Sequence, residues 1–148
     1  MHERQAGLLR TAFLAGAITD AFAVVPLLFP AVARLLWGFE DVDGAYRFVS
    51  GYAASLMAAW TGLLLWARQS PLERAFVAPL TVLIIYGLAA TEIAAVHAGT
   101  LPATRMLPTW VLQAGLLGLF AGAYHYPALA RRRPAKRTAQ GPVVGKGP

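Results

Sequence analysis

Residues 48–67 read FVSGYAASLMAAWTGLLLWA, twenty positions without a charge. A helix rises about 1.5 Å per residue, so a run of this length covers the roughly 30 Å hydrocarbon core of a bilayer. The same pattern continues on both sides. Ala75 to Thr91 and Met106 to Tyr124 are also uncharged, and Thr11 to Ala33 carries one charge, Asp20. The charges gather between these runs. Only 14% of the 148 residues are charged and 57% are hydrophobic, where a soluble domain holds about a quarter charged. The mean hydropathy is +0.54.

This pattern predicts an all-α integral membrane protein, a four-helix bundle over residues 1–128. The expected spans are 9–36, 46–67, 71–98 and 105–126. Pro26 and Pro30 are expected to kink the first helix, because neither supplies the N–H that the preceding turn needs. Arg4 and Arg10 before an apolar run ending Ala31-Val32-Ala33 resemble a signal sequence. That run is too long and contains Asp20, so a retained helix is expected.

Basic residues set the expected orientation. Arg4, Arg10, Arg68, Arg74, Arg131, Arg132, Arg133, Lys136, Arg137 and Lys146 fall on one side of a four-span topology. Arg34, Arg47 and Arg105 fall on the other. Both termini are therefore expected in the cytoplasm, with the acidic segment Glu40-Asp41-Val42-Asp43-Gly44 outside. Arginine outnumbers lysine eleven to two, a bias of GC-rich prokaryotic genomes, so a bacterial inner membrane is the expected location. Residues 129–148 are basic and rich in proline and glycine. They are expected to be disordered and to lie near anionic lipid. Binding of nucleic acid is not expected, since the basic balance comes from this tail and from topology.

Ser70, Pro71 and Glu73 form a helix-start signal, with a cap, a first-turn proline and a capping box. Spans two and three are accordingly expected to form a tight antiparallel hairpin. Each span also carries small residues at four-residue spacing, which let backbones approach in lipid. The expected packing positions are Gly16 in span one, Gly51 and Ser55 in span two, and Ala114, Gly118 and Gly122 in span four. Packing within one bundle is the first reading. A homodimer through Gly118 and Gly122, or an unknown membrane partner, is the second.

Two carboxylates are candidate sites. Asp20 lies about 13 Å from the cytoplasmic end of its helix, level with Trp60, Thr61 and Tyr86, all able to donate to it. A carboxylate in hydrocarbon must be partnered or protonated. Beside the proline-freed carbonyls it resembles the ion and proton paths of broken transporter helices, and a structural hydrogen bond would look the same. Glu92 lies about 25 Å from the same side, with Arg47, Tyr52 and Gln113 within side-chain reach. An ion pair of Glu92 with Arg47 or Arg105 is expected to close that end, or the cluster to hold a polar headgroup.

His97 and His125 sit at opposite ends and cannot share a metal. No EF-hand register fits the acidic segment. The absence of cysteine excludes thiolate metal sites, disulfides and covalent haem attachment. No catalytic triad, phosphate loop or metalloprotease spacing is present, so neither cofactor nor metal is expected. In helix number and size the chain resembles the small DoxX-like membrane proteins and the EXPERA-domain proteins, which hold a sterol-like ligand between helices. No functional residue carries over from either.

The expected function is that of a small polytopic membrane protein without enzymatic activity. It would act as an accessory subunit or hold a lipid-like molecule between its helices. The alternative is a proton- or ion-linked transporter subunit or a membrane-embedded isomerase centred on Asp20.

Overall fold

A computed structural model describes residues 2–39 and 43–132, with side chains through residue 126. The chain forms five helices: α1 (His2–Leu28), α2 (Pro30–Trp37), α3 (Gly44–Gln69), α4 (Val77–His97) and α5 (Ala103–Arg132). Four of them, all but α2, are long and apolar enough to cross a membrane. Large apolar side chains cover the outside. Leu35, Phe48, Phe22 and Val111 are all more than 70% exposed, as lipid-facing positions should be.

The chain leaves helical geometry at Phe29 (φ −113°, ψ 99°). A residue before proline is driven towards extended conformations, and Pro30 then takes the first position of α2, where its missing N–H is not needed. Pro26 lies inside α1. α2 ends at Gly38 in the left-handed region (φ 78°), whose N–H returns to the Arg34 carbonyl. Asp43 opens α3, its Oδ1 accepting from the Tyr46 N–H at 2.7 Å. Trp37, Phe39 and Tyr46 stack edge-on across this connection. The expected loop residues 40–42 lie outside the described residues. So does the tail from residue 133, while α5 itself continues to Arg132, past the point where disorder was expected.

α1 is the central helix. It packs on both α3 and α5, and α4 packs chiefly on α5. Val77, Ala78 and Ile85 of α4 join Leu9 and Phe13 of α1 and Leu64 of α3 in one buried cluster. The pairs are antiparallel: Gly16 lies level with Leu64 and Phe120, while Leu28 shares a groove with Arg47 nearer the other end. Leu9, Phe13, Leu64 and Phe120 are fully buried between the helices. The rings of Phe13 and Phe120 lie 6.0 Å apart. Lipid tails solvate such rings as well as protein does, so close packing rather than escape from water holds these surfaces together.

The hairpin expected of spans two and three is corrected here. α3 lies chiefly on α1 and α4 chiefly on α5. The expected helix start at Ser70 and Pro71 is also absent, because residues 71–76 form turns and α4 begins at Val77. The cause is Arg74. Its guanidinium stacks 3.7 Å from the Trp66 ring centroid and donates to the Trp66 carbonyl. It thereby satisfies the end of α3 instead of riding on a new helix.

Hydroxyls within the spans are satisfied locally. Thr11, Ser55, Thr61, Thr81 and Thr91 each donate to the carbonyl four residues back. This removes a desolvation cost without linking helices. Of the packing positions read from sequence, Gly16 is a true close approach. A Cβ there would come 2.9 Å from Phe120 Cζ and 3.1 Å from Leu64 Cδ1. A Cβ at Gly51, Gly118 or Gly122 would meet nothing within 4 Å. Ser55 and Ala114 are exposed as well, so the small stripes of α3 and α5 are not used within the described chain.

Candidate functional site

The candidate site lies between α4 and α5, near the ends joined by residues 98–102. Glu92 is five residues from the last residue of α4, and Trp110 and Gln113 are in the third and fourth turns of α5. Gln113 Nε2 donates to Glu92 Oε1 at 2.9 Å. In this orientation the amide NH₂ is the donor and the carboxyl oxygen the acceptor. It leaves Gln113 Oε1 and Glu92 Oε2 buried without a partner among the described residues. The Trp110 indole stands beside the same carboxyl as a second donor to it, short of full hydrogen-bond geometry. Gln113 Oε1 is left without a donor among the described residues. Each such group costs on the order of 1–3 kcal/mol when buried.

Trp110 and Gln113, but not Glu92, line a groove of about 200 Å³ together with Ala89, Ile93, Ala114 and Leu117. The antiparallel register puts Ile93 and Trp110 at its outer end. Ala89 and Leu117 lie a turn or more deeper. The walls are apolar and open towards lipid. Gln113 is only 7% exposed, so it points into the helix pair and not along the membrane surface.

The other residues read from sequence do not join this cluster. Arg47 is exposed and lines a separate groove with Leu27, Leu28, Pro30, Ser50 and Gly51, between the α1–α2 break and α3. Tyr52 is 67% exposed. The ion pair expected of Glu92 is corrected. Arg105 donates to the Arg34 and Leu35 carbonyls at 3.3 and 3.2 Å, completing the end of α2, and Glu92 takes its bond from Gln113. A carboxyl at this depth is better served by a neutral amide than by a cation already committed elsewhere.

Around Asp20 the expected set of three donors reduces to one. Thr61 donates to Met57, and Tyr86 is 62% exposed on α4. Trp60 remains, partly buried against the core, level with Asp20 one turn beyond the Gly16–Leu64 contact. Its Nε1–H has no partner among the described residues. Asp20 is half-buried. No group of three or more metal-ligating side chains is present among the described residues. His97 ends α4, and His125 stacks edge-on against Tyr124.

Trp110 is the residue of this site that the sequence reading did not single out. Its signal was spacing. Trp110 and Gln113 are three residues apart, which puts both on one helix face. The chain matches no protein-family model, and neither a curated protein nor a solved structure is significantly similar to it.

Proposed function

We propose that this multi-pass membrane protein holds a lipid-like small molecule in the groove between α4 and α5, with Glu92, Gln113 and Trp110 at its polar end. The observation that carries this reading is the buried Gln113, bonded to Glu92 and lining an apolar groove beside Trp110, whose Oε1 has no donor among the described residues. A helix pair built only for packing would leave such an atom out, because lipid supplies no donor. A bound molecule with a polar end supplies one. The role is binding rather than catalysis, and the protein acts in the bacterial inner membrane with both termini in the cytoplasm. Anionic lipid beside the basic tail and a partner or second copy on the Gly118–Gly122 face belong to the same reading.

The test is extraction of the protein with its surrounding lipid in polymer-bounded discs, followed by mass spectrometry of the small molecules retained. One amphiphile class should be enriched over bulk membrane in the parent and depleted in Gln113→Leu. Lipid content identical to bulk membrane in both proteins overturns the proposal.

A further inference from the structure

We infer that α2 lies in the plane of the membrane–water interface, at the end of the bundle where α3 and α5 begin. Val32, Leu35 and Leu36 enter the hydrocarbon there, and Arg34 lies among the lipid headgroups. The partner of this surface is the phospholipid layer itself, whatever molecule lies between α4 and α5.

The break at Phe29 turns the chain. Its ψ of 99° stands about 140° from the helical value near −42°, so α2 does not continue the axis of α1. Its direction follows from what each end touches. Pro30, its first residue, shares a groove with Arg47, Ser50 and Gly51 of α3. Its last turn rests on α5. Arg105 Nη1 donates to the carbonyls of Arg34 and Leu35, and the same guanidinium lies against Gly38.

Arg47 and Arg105 immediately precede the uncharged runs 48–67 and 106–124. They mark one level, the edge of the hydrocarbon. An upright α2 would carry Gly38 about 12 Å beyond Pro30, at 1.5 Å per residue. Instead one end of α2 meets the residues beside Arg47 and the other meets Arg105, so the helix runs along that level. Eight residues cannot cross a bilayer, and they make two turns along its surface.

The faces of α2 suit this placement. At 3.6 residues per turn, Pro30, Ala33 and Trp37 form one stripe, Val32, Leu35 and Leu36 a second, and Ala31 and Arg34 a third. Ala33 is fully buried, so the first stripe faces the protein. Leu35 and Leu36 are exposed on the second, where hydrocarbon takes them at no cost and water would not. Leu28 and Phe29 are also more than half exposed, so the chain enters α2 from a lipid-facing surface. Ala31 and Arg34 are exposed on the third stripe, where a guanidinium meets phosphate oxygens. Separation of this kind marks helices that lie on a membrane, and α2 is the most amphipathic of the five. Trp37 packs on Phe39 and Phe39 on Tyr46, an aromatic cluster of the type that settles at headgroup level.

The test is site-directed spin labelling in vesicles of phosphatidylcholine and phosphatidylglycerol. Single variants Ala31→Cys, Val32→Cys, Arg34→Cys, Leu35→Cys and Leu36→Cys carry the label, and circular dichroism checks that each is folded. Power saturation then compares collision with oxygen, which concentrates in hydrocarbon, against collision with a water-soluble nickel chelate. The oxygen-to-nickel ratio should be several-fold higher at 32, 35 and 36 than at 31 and 34, following the helical period with no trend along the chain. A ratio that falls steadily from 31 to 36 would overturn the inference, because α2 would then stand upright and leave the membrane. Nickel-dominated collision at 35 and 36 would overturn it by placing that stripe in water. Low collision with both reagents at 35 and 36 would overturn it in favour of a protein surface covering the stripe.

Discussion

Gln113 on α5 donates to Glu92 on α4 across 2.9 Å, a side-chain hydrogen bond between two helices at the border of an apolar groove. Interhelical bonds in membranes contribute about 0.6 kcal/mol on average and up to about 1.7. A double-mutant cycle with Glu92→Leu and Gln113→Leu should therefore give a coupling within that range, measured by reversible unfolding in bicelles. The corresponding cycle between Glu92 and Arg105 should give a coupling near zero, because Arg105 serves the α2 carbonyls. Substantial Glu92–Arg105 coupling would restore the ion pair that the structure replaces.

Arg105 makes a second relationship testable. Its guanidinium lies against Gly38, where a Cβ would come 3.0 Å from Cζ and Nη1. Gly38 is also in the left-handed region, which costs a residue with a Cβ about 1–2 kcal/mol. Gly38→Ala should cost that amount plus the displacement of Arg105. In an Arg105→Ala background the same change should cost only the conformational part. Equal costs in both backgrounds would show that the guanidinium does not rest on the glycine.

The glycines of α1 and α5 should separate clearly. Gly16→Ala forces Phe120 or Leu64 to give way, and overpacking of this kind typically costs about 1–3 kcal/mol. Gly118→Ala and Gly122→Ala enter open space and should leave the stability of the monomer unchanged or slightly raised. Thermal unfolding of the three variants in one detergent gives the comparison. A loss for Gly118→Ala as large as that for Gly16→Ala would mean that another surface covers this face.

Orientation has its own measurement. The chain has no cysteine, so single sites can be introduced at exposed positions at or beyond the helix ends. Thr100→Cys should react with an impermeant maleimide in intact cells, and Gln69→Cys only after lysis. The reverse pattern would invert the topology that the basic residues imply.

Apolar length was legible because it is a local property. Twenty uncharged residues from Phe48 to Ala67 require a spanning helix whatever their neighbours are. Helix pairing was not legible, because every span carries a small-residue stripe and periodicity cannot choose among them. Gly16 and Gly118 look alike in sequence. They differ only in having, or lacking, Phe120 and Leu64 opposite. The start of α4 was misread for a related reason: Ser70, Pro71 and Glu73 are a valid local signal, overridden when Arg74 turns back onto Trp66. Counting depth along antiparallel helices did bring Gln113 to Glu92. It also brought Arg47 and Tyr52 to that level, since depth says nothing about which face of its helix a residue occupies.

Asp20 is the remaining carboxyl within a span, and its surroundings reduce its role to two alternatives. It lies half-buried on α1, level with the buried Trp60 indole, whose N–H is unpartnered. Thr61 and Tyr86 are turned elsewhere. If the carboxyl is structural, Asp20→Asn keeps an acceptor for the indole and should leave stability within about 0.5 kcal/mol, as for a substitution that preserves its interaction. Asp20→Leu removes the acceptor and should cost about 0.5–2 kcal/mol. In a Trp60→Phe background the Leu variant should cost less, because the donor it would strand is gone. Proton flux into proteoliposomes separates the second alternative. A titratable group in a transport path must be the carboxyl itself, so the parent would carry a pH-driven flux that Asp20→Asn abolishes while still folding. The expected outcome is no flux above protein-free vesicles in parent, Asn or Leu proteins, with only the Leu variant destabilised. Flux in the parent and its loss in Asn would move Asp20 from a packing element to the centre of a proton path.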